Sequence, residues 1–369
     1  MAPMRFRIRR HFLAIGILLP LSAALLIFFA SQSDARRDWP SAAWQTDNPS
    51  SHGVSSSGLA RAESYAAANK THSLLVIRHV RLIFEKYYPP FTALTAFDGK
   101  SVAKSLISIA IGRAVHEGLL PSIETPVHKI LGDSRQNASW QSVTVRHALN
   151  MTTGIESIYA DMIATSDWPA YIRGLPGTHP PGTVWHYKSD PMISSAVISA
   201  VAGVNARTYF QNTIGRALGL ADFAWGQDPS GYTDGNGGAL LTSRDMAKIG
   251  YLMLNDGMWN GDRLLPRDWV ANVTFPSQSA SRQYANIWAG ATPTAITSPP
   301  IEYGLGWMCR KLNGVPWDAY WAFGGTGQFI VVIPSLDLVV VRTGSNGPSN
   351  DETVFPTLLA NIVAAVADK

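Results

Sequence analysis

Cysteine is scarce in this sequence: among its 369 residues, Cys309 is the only one. A single cysteine excludes an intrachain disulfide, so the fold depends on packing even in an oxidising compartment. The nine histidines are scattered, and the sequence contains no His-Glu-x-x-His pattern. Since it also lacks a cysteine pair, the sequence offers little support for a protein metal site, and we expect no metal and no cofactor.

Charge is also scarce, because only 15% of the residues are charged and the net charge is +4. The basic excess is confined to the first 35 residues, where Arg5, Arg7, Arg9 and Arg10 stand against Asp34 alone. The remaining residues comprise 26 basic and 25 acidic ones. The sequence therefore gives no electrostatic case for nucleic-acid binding. With 46% hydrophobic residues, the chain can bury a large core in one domain or two closely packed ones.

An uncharged apolar run, Phe12 to Ala30, follows the arginines. At about 1.5 Å per residue, such a run is long enough to cross a bilayer core of about 30 Å. Residues 1–35 are therefore interpreted as a signal peptide or a signal anchor, with cleavage and retention both open. In either case the rest of the chain is predicted to be exported, either periplasmic or anchored to the inner membrane through this segment and facing the periplasm.

Strand-like segments stand at both ends of the chain and enclose a long helical stretch. Residues 36–60 are rich in Ser, Ala and Pro and predict a linker or a surface arm. Strands are predicted at 73–77, 80–84, 303–311, 319–323, 329–333 and 338–342. Helices are predicted at 101–119, 143–151, 189–203, 205–218, 243–256, 266–275 and 352–367.

This order of elements predicts an α/β fold of the α+β type, with one antiparallel sheet built from both chain ends and flanked by helices. A mainly helical inserted domain is expected at about 101–299. The main domain would span 61–369, and its sheet part would combine 61–100 with about 300–369. Strands and helices do not alternate regularly, which argues against a doubly wound parallel sheet.

Ser101-Val-Ala-Lys104 is the one place in the chain where local geometry holds a nucleophile and a base together. It opens an apolar helical stretch, and residues three apart on a helix share a face. A lysine kept neutral by burial could take the serine proton, and backbone N–H groups at the helix start could help to hold an oxyanion. On the motif alone, a helix-capping serine and a solvated lysine are an equal alternative.

Two further segments carry groups that suit such a site. Tyr187-Lys-Ser189 follows a turn-rich approach and precedes a helix, so its phenol could face a cleft and accept a proton. The stretch Tyr320 to Gln328 contains strand pieces separated by glycines, among them Gly324 and Gly325, which indicates a close backbone approach, here to a substrate carbonyl. Taken alone, a structural buried tyrosine and a plain bulge or turn are the alternatives.

Together, Ser101-x-x-Lys104, Tyr187-x-Ser189 and the glycine strand, in this order around a helical insert, resemble the penicillin-recognising serine hydrolases. Within them, the chain is similar to the class C β-lactamase-related group that includes 6-aminohexanoate-dimer (nylon-oligomer) hydrolases and β-lactamase-like esterases. The likeness covers roughly residues 57–345. The supporting stretches are 74–77, 148–154, 237–247 and 327–334.

The resemblance implies acyl transfer through an acyl-enzyme. It makes Ser101 the nucleophile, Lys104 its proton acceptor and Tyr187 the residue that passes protons to the leaving group and to water. An oxyanion N–H would come from Gly325. The resemblance therefore implies a serine hydrolase of small molecules, and it indicates nothing about the oligomeric state.

Two departures from the β-lactamase pattern bear on the substrate. The family's Lys-Thr-Gly element falls on Ala322-Phe-Gly324, so the lysine that helps to bind the β-lactam carboxylate is missing. Ser189 stands where many relatives have Asn. The resemblance therefore implies a small amide or ester as substrate, with Ser189 and Gly324 beside it. The alternatives are a true β-lactamase or D-peptidase, and a catalytically inactive exported binding protein on the same fold.

Overall fold

The computed structural model describes residues 39–40, 43–221, 223–275, 278–279, 302–309, 311–346 and 348–367. The predicted signal peptide or anchor, residues 1–35, lies outside the described residues. Within the described ranges, no helix is both long enough and apolar enough to span a bilayer.

Most strands belong to one large sheet. The strands are β1 Thr71–Arg78, β2 Arg81–Tyr87, β3 Ala96–Asp98, β4 Leu240–Thr242, β5 Met258–Trp259, β6 Asp262–Arg263, β7 Gln278–Ser279, β8 Glu302–Tyr303, β9 Met308–Cys309, β10 Tyr320–Gly324, β11 Gln328–Ile333 and β12 Leu338–Gly344. Among the described residues, the large sheet has eight antiparallel strands in the order β2-β1-β12-β11-β10-β9-β8-β7. Because β1 pairs with β12, with Leu75 opposite Val341, the predicted sheet built from both chain ends is confirmed.

Helices cover both faces of this sheet. The α-helices of the described residues are α1 Ser56–Ala68, α2 Val102–His116, α3 His128–Leu131, α4 Val145–Leu149, α5 Tyr159–Ile163, α6 Trp168–Gly174, α7 Pro191–Ala202, α8 Ala206–Phe210, α9 Arg216–Leu218, α10 Ser243–Leu254, α11 Trp269–Thr274 and α12 Pro348–Ala364. A π-helical turn, Gln211–Gly215, joins α8 to α9. The large antiparallel sheet with flanking helices confirms the predicted α+β class.

Alternate residues of β1 enter two different hydrophobic cores, because successive side chains of a strand point to opposite faces. Leu74 and Val76 lie in the core that includes residues of α1 and α12. Leu75 and Ile77 lie in the core that includes residues of α2 and α10. Every residue of β11 and β12 is buried, which explains why both strands read as nearly continuous apolar runs.

Helix α10 packs directly on β1, β11 and β12. A glycine permits this approach, since a Cβ at Gly250 would lie 2.6 Å from Cγ1 of Val339 and 2.9 Å from Cγ2 of Ile330. Helix α10 lies inside the stretch that was predicted to be helical, about 101–299, and yet it contacts the sheet. The chain from Trp39 onward forms one compact unit, and its division into two subdomains stays a prediction.

Helix α2 is buried on nearly all sides, as expected for a helix that is apolar all round. It packs against α7, α8 and β10, so it links the helical elements to the sheet. The helix begins at Val102 and ends at His116, three residues before the predicted end. The residue immediately before it is Ser101, which is therefore held at the start of a deeply buried helix.

The structure differs from the sequence-based expectation at several places, including the following three. The strand predicted at 303–311 is a pair, β8 and β9, because the chain turns at Gly304 and Gly306, where it approaches other backbone too closely for a side chain. The paired strands β3 and β4 were not predicted, since three residues are too few for a periodic pattern. Helix α1, capped by the Ser55 hydroxyl, begins inside the stretch predicted as a linker or arm.

Candidate active site

Ser101 stands at the end of a tight turn between β3 and α2. The Gly99 N–H donates to the Ala239 carbonyl at 2.8 Å, and Lys100 has a positive φ of 51°. The Lys100 ammonium pairs with the Asp98 carboxylate at 2.6 Å, which ties the turn to the strand before it. The Ser101 hydroxyl makes no capping hydrogen bond to the helix, so the capping alternative for this serine does not hold.

Lys104 points inward from the first turn of α2 and is only 5% exposed. Its Nζ donates to the Ser101 Oγ at 3.2 Å and to the Asn236 carbonyl oxygen at 3.1 Å. The same Nζ lies 4.9 Å from the centre of the Tyr187 ring. One buried amine thus connects three segments that are far apart in the sequence, and the solvated-lysine alternative does not hold.

Tyr187 and Ser189 lie on the loop that leads into α7. The Tyr187 ring packs against Trp185, with 6.2 Å between the ring centres, and it faces the Lys104 amine. Ser189 is buried, and its backbone N–H donates to the Ser157 hydroxyl at 3.3 Å. Both predicted residues therefore lie beside the Ser101–Lys104 pair.

The glycine strand lies against the nucleophile turn. A Cβ at Gly324 would stand 1.9 Å from the Gly99 carbonyl oxygen, so only a residue without a side chain allows this approach. Gly325 and Thr326 line the cleft in front of Ser101, whereas Gly324 is not on the cleft wall. Ala322 is 0% exposed and packs in the sheet core, so its side chain does not face the cleft.

These residues share one cleft of about 780 Å³. Its lining combines the predicted site residues and their neighbours with polar and apolar groups from two other segments, 157–159 and 234–238. The lining residues are Asp98, Lys100, Ser101, Lys104, Ser157, Ile158, Tyr159, Tyr187, Lys188, Ser189, Asp234, Asn236, Gly237, Gly238, Gly325 and Thr326. Ser101, Lys104, Tyr187, Ser189 and Gly325 thus line one cleft, and Gly324 lies directly behind it.

Asn236 is a cleft residue that the sequence patterns did not single out. Its N–H donates to the Asp234 carboxylate at 2.8 Å, an Asx-type turn that presents the Asn236 carbonyl to Lys104. Burial raises the pKa of the Asp234 carboxyl, while this hydrogen bond and the nearby Lys104 act to lower it. The turn signal was visible as Asp234-Gly-Asn-Gly-Gly238, but nothing in the sequence indicated which elements it faces.

The side chain of Asn236 is only 8% exposed. Among the described residues, neither its amide nitrogen nor its amide oxygen has a hydrogen-bond partner. A buried amide without partners costs free energy, whereas a group that enters the cleft could supply the missing bonds. This geometry suits a side chain that contacts a polar part of a ligand.

Asp190 lies directly behind the cleft, at the start of α7. Its carboxylate accepts a hydrogen bond from the Thr153 hydroxyl at 2.8 Å. Complete burial raises the pKa of Asp190 to about 7, even though the Thr153 hydrogen bonds act to lower it. Asp190 is therefore a buried carboxyl that holds a proton in mildly acidic solution.

The chain matches a known family over most of its length. The family model described as Beta-lactamase covers residues 60–364. Among known proteins, the chain is similar to a 6-aminohexanoate-dimer hydrolase of Paenarthrobacter ureafaciens. The two are 24% identical over 335 residues, which cover 80% of this chain and 78% of that protein.

Solved structures share the fold. A penicillin-binding protein homologue from Caulobacter crescentus superposes with a TM-score of 0.68 at 16% identity, covering 85% of this chain and 99% of the other. A family VIII carboxylesterase gives a TM-score of 0.68 at 15% identity, again with 85% and 99% covered. At such identities the likeness shows the fold, and it agrees with the antiparallel sheet and flanking helices described above.

Proposed function

The chain belongs to the β-lactamase family of penicillin-recognising serine hydrolases, and from this membership we propose that it hydrolyses a small amide or ester through an acyl-enzyme on Ser101. One observation carries the proposal: the buried Lys104 Nζ lies 3.2 Å from the Ser101 Oγ. A serine hydroxyl is a weak nucleophile at neutral pH and needs an adjacent base. No other member of the cleft lining forms a hydrogen bond with this hydroxyl in the described part of the chain.

Acylation begins when the Lys104 amine accepts the Ser101 proton as Oγ attacks the substrate carbonyl carbon. The tetrahedral intermediate collapses as the bond to the leaving group breaks, and that group takes the proton from Lys104 through Tyr187. In deacylation, Lys104 takes a proton from water through Tyr187 as the water oxygen attacks the acyl carbonyl carbon, and it returns this proton to the Ser101 Oγ when the acyl bond breaks. The short path between Lys104 and the Tyr187 ring supports this division of roles.

The developing negative charge on the carbonyl oxygen needs N–H donors. We assign this role to the backbone N–H groups of Ser101 and Gly325. The close approach of Gly324 to Gly99 supports the assignment, because it brings the end of β10 to the turn that carries the nucleophile. A rigid backbone donor requires little rearrangement as the charge develops.

Features of the cleft favour a substrate without a carboxylate next to the scissile bond. Lys100 is paired with Asp98, and Lys188 is paired with Glu156 at 3.0 Å, so neither ammonium is without a counter-charge. Ala322 lies in the core and offers no cation to the cleft. A relative named for 6-aminohexanoate dimer and a neighbour named as a carboxylesterase fit an amide or an ester.

The mouth of the cleft is apolar. Ile158 is 58% exposed and Tyr159 is 52% exposed, and both line the cleft next to the buried Ser157. Exposed apolar side chains at a site mouth stabilise an apolar part of a ligand by removing its surface from water. We therefore propose an acyl or leaving group with a short hydrocarbon segment.

Parallel kinetics on three substrate classes test the proposal. The full-length protein is assayed with a short-chain p-nitrophenyl ester, a small linear anilide and a chromogenic cephalosporin. The missing charge-assisted contact is worth about 1.5–3 kcal/mol, so kcat/KM for the cephalosporin should be roughly ten- to a hundredfold lower than for the best ester or amide. Ser101→Ala should abolish turnover, and Ser64→Ala, at an exposed position of α1, should preserve it. A cephalosporin that is turned over faster than every ester and amide would refute the proposed substrate class.

A further inference from the structure

Three metal-ligating side chains meet at the rim of the cleft. The carboxylate of Glu156 and the imidazoles of His179 and His186 place one ligand atom each within 4.8 Å of one another. The His186 Nδ1 contacts the Glu156 carboxylate directly, and the two imidazole rings lie edge to face with 5.8 Å between their centres. All three side chains are partly exposed, so an ion can reach them from solvent.

Backbone hydrogen bonds hold the three segments together. The N–H groups of Thr178 and His179 donate to the Gly154 carbonyl at 2.8 and 3.3 Å, and the His186 N–H donates to the Met151 carbonyl at 3.1 Å. Gly154 has a positive φ of 74°, and a Cβ there would lie 2.0 Å from the His179 carbonyl oxygen. Backbone contacts therefore fix the positions of the segments that carry the three side chains.

We propose that Glu156, His179 and His186 form a binding site for a divalent transition-metal ion, with Zn²⁺ as the expected occupant. Two imidazoles and one carboxylate are a donor set that Zn²⁺ commonly takes, at about 2.0–2.2 Å from each ligand atom. The present separation of the ligand atoms requires only a small side-chain adjustment to reach those distances. Three protein ligands leave a fourth position for water, the arrangement of an exchangeable site.

The metal site borders the catalytic cleft but is distinct from it. Glu156 precedes Ser157, and His186 precedes Tyr187, and both of these neighbours line the cleft. A bound ion would fix the two segments that carry Ser157 and Tyr187. The inference does not depend on the proposed hydrolysis, because the ligand set is defined by its own contacts.

Lys188 would compete with a metal ion for the Glu156 carboxylate. Its ammonium pairs with the second Glu156 carboxylate oxygen at 3.0 Å, and a bound ion would have to share or displace this partner. Removal of the Lys188 charge should therefore tighten metal binding. If the cluster is only a structural ion-pair network, removal of this charge would not increase the affinity for metal. The Lys188 variant therefore distinguishes a metal site from an ion-pair network.

The test is a titration of the full-length protein with Zn²⁺ after treatment with a chelator. Binding is measured by competition with a chromophoric chelator, and a parallel titration with Co²⁺ reports coordination through its d–d absorption. We expect one ion per chain. We expect at least about tenfold weaker binding for His179→Ala and Glu156→Gln, which remove direct ligands, and tighter binding for Lys188→Ala.

The control is His116→Ala, at an exposed position near the end of α2 and outside the cluster, which should bind as the wild type does. Because Glu156→Gln also breaks the contacts with His186 and Lys188, its folding is checked by circular dichroism, and His179→Ala provides the independent test. Wild-type binding that is undetectable, or equal in His179→Ala and the wild type, would overturn the proposal.

Discussion

A Cβ at Gly324 would stand 1.9 Å from the carbonyl oxygen of Gly99. This contact joins the end of β10, from the last quarter of the chain, to the turn that carries Ser101. The nucleophile and the strand that borders the oxyanion position are thus fixed to each other by backbone alone. Their relative placement depends on the absence of a single side chain.

Gly324→Ala should therefore move β10 away from the turn. We expect a loss in the free energy of unfolding of about 1–3 kcal/mol, typical of overpacking at a tight contact. Ester turnover should fall by more than the folded fraction explains, because the oxyanion donor is displaced. Urea denaturation and kcat measure the two effects. In the control Gly174→Ala, where the nearest atom is 3.4 Å away in the flexible Gln136 side chain, both should stay near wild type.

The Lys104→Arg variant should lose most of the hydrolytic activity. A guanidinium keeps its proton at neutral pH, so it cannot accept the Ser101 proton. We expect kcat/KM for an ester to fall by roughly 10²–10⁴-fold, the usual range for a lost general base. Lys100→Arg is the matched control, since Lys100 pairs with Asp98 at the cleft edge. Ester hydrolysis by Lys104→Arg within a factor of a few of the wild type would remove the lysine from the mechanism.

Asn236→Leu should lower activity without lowering stability. Leucine has nearly the same shape but no polar atoms, so the cost of the unpartnered buried amide disappears. The free energy of unfolding should stay constant or rise by about 1 kcal/mol. The backbone carbonyl that accepts from Lys104 remains, while a substrate loses its polar contact, and kcat/KM should fall by roughly tenfold or more. A fall in both quantities would indicate a structural role only.

Asp190 should make the protein less stable as the pH rises from about 4 to 7. In this interval an unfolded chain loses the Asp190 proton, with a pKa of 3.8, while burial keeps the carboxyl protonated in the fold up to a pKa of about 7. The unfolded state binds fewer protons, so unfolding becomes easier with rising pH and then levels off.

Asp190→Asn removes this titration and keeps an acceptor for the Thr153 hydroxyl. Chemical denaturation at pH 4, 5, 6 and 7 should show the stability of the variant relative to the wild type increasing with pH, by up to roughly 4 kcal/mol in all. A constant difference across these pH values would show that Asp190 ionises normally in the fold.

The sequence predicted those parts of the site that depend on local geometry. Lys104 lies in the first turn of α2 and Ser101 lies immediately before that helix, so their contact follows from the three-residue spacing at a helix start. The central strands were visible because runs such as Val339 to Val341 are β-branched and buried on both faces.

Other parts depend on contacts between distant segments and left no periodic signal. Asn236 and the Glu156–His179–His186 cluster are assembled by turns and backbone hydrogen bonds. The position of Ala322 in the core is also a matter of strand orientation, which a motif alignment does not contain. The sequence-based argument against a metal site considered only short spacings along the chain, which is why it did not reveal this cluster.

The most direct test of the account is the site at which a fluorophosphonate probe attaches. The folded full-length protein is labelled and digested, and the modified peptide is identified by mass spectrometry. The account predicts one adduct, on Ser101, that is absent in Ser101→Ala, forms much more slowly in Lys104→Ala and is unchanged in Ser64→Ala. An adduct on another residue, or labelling of Ser101→Ala at the wild-type rate, would contradict it.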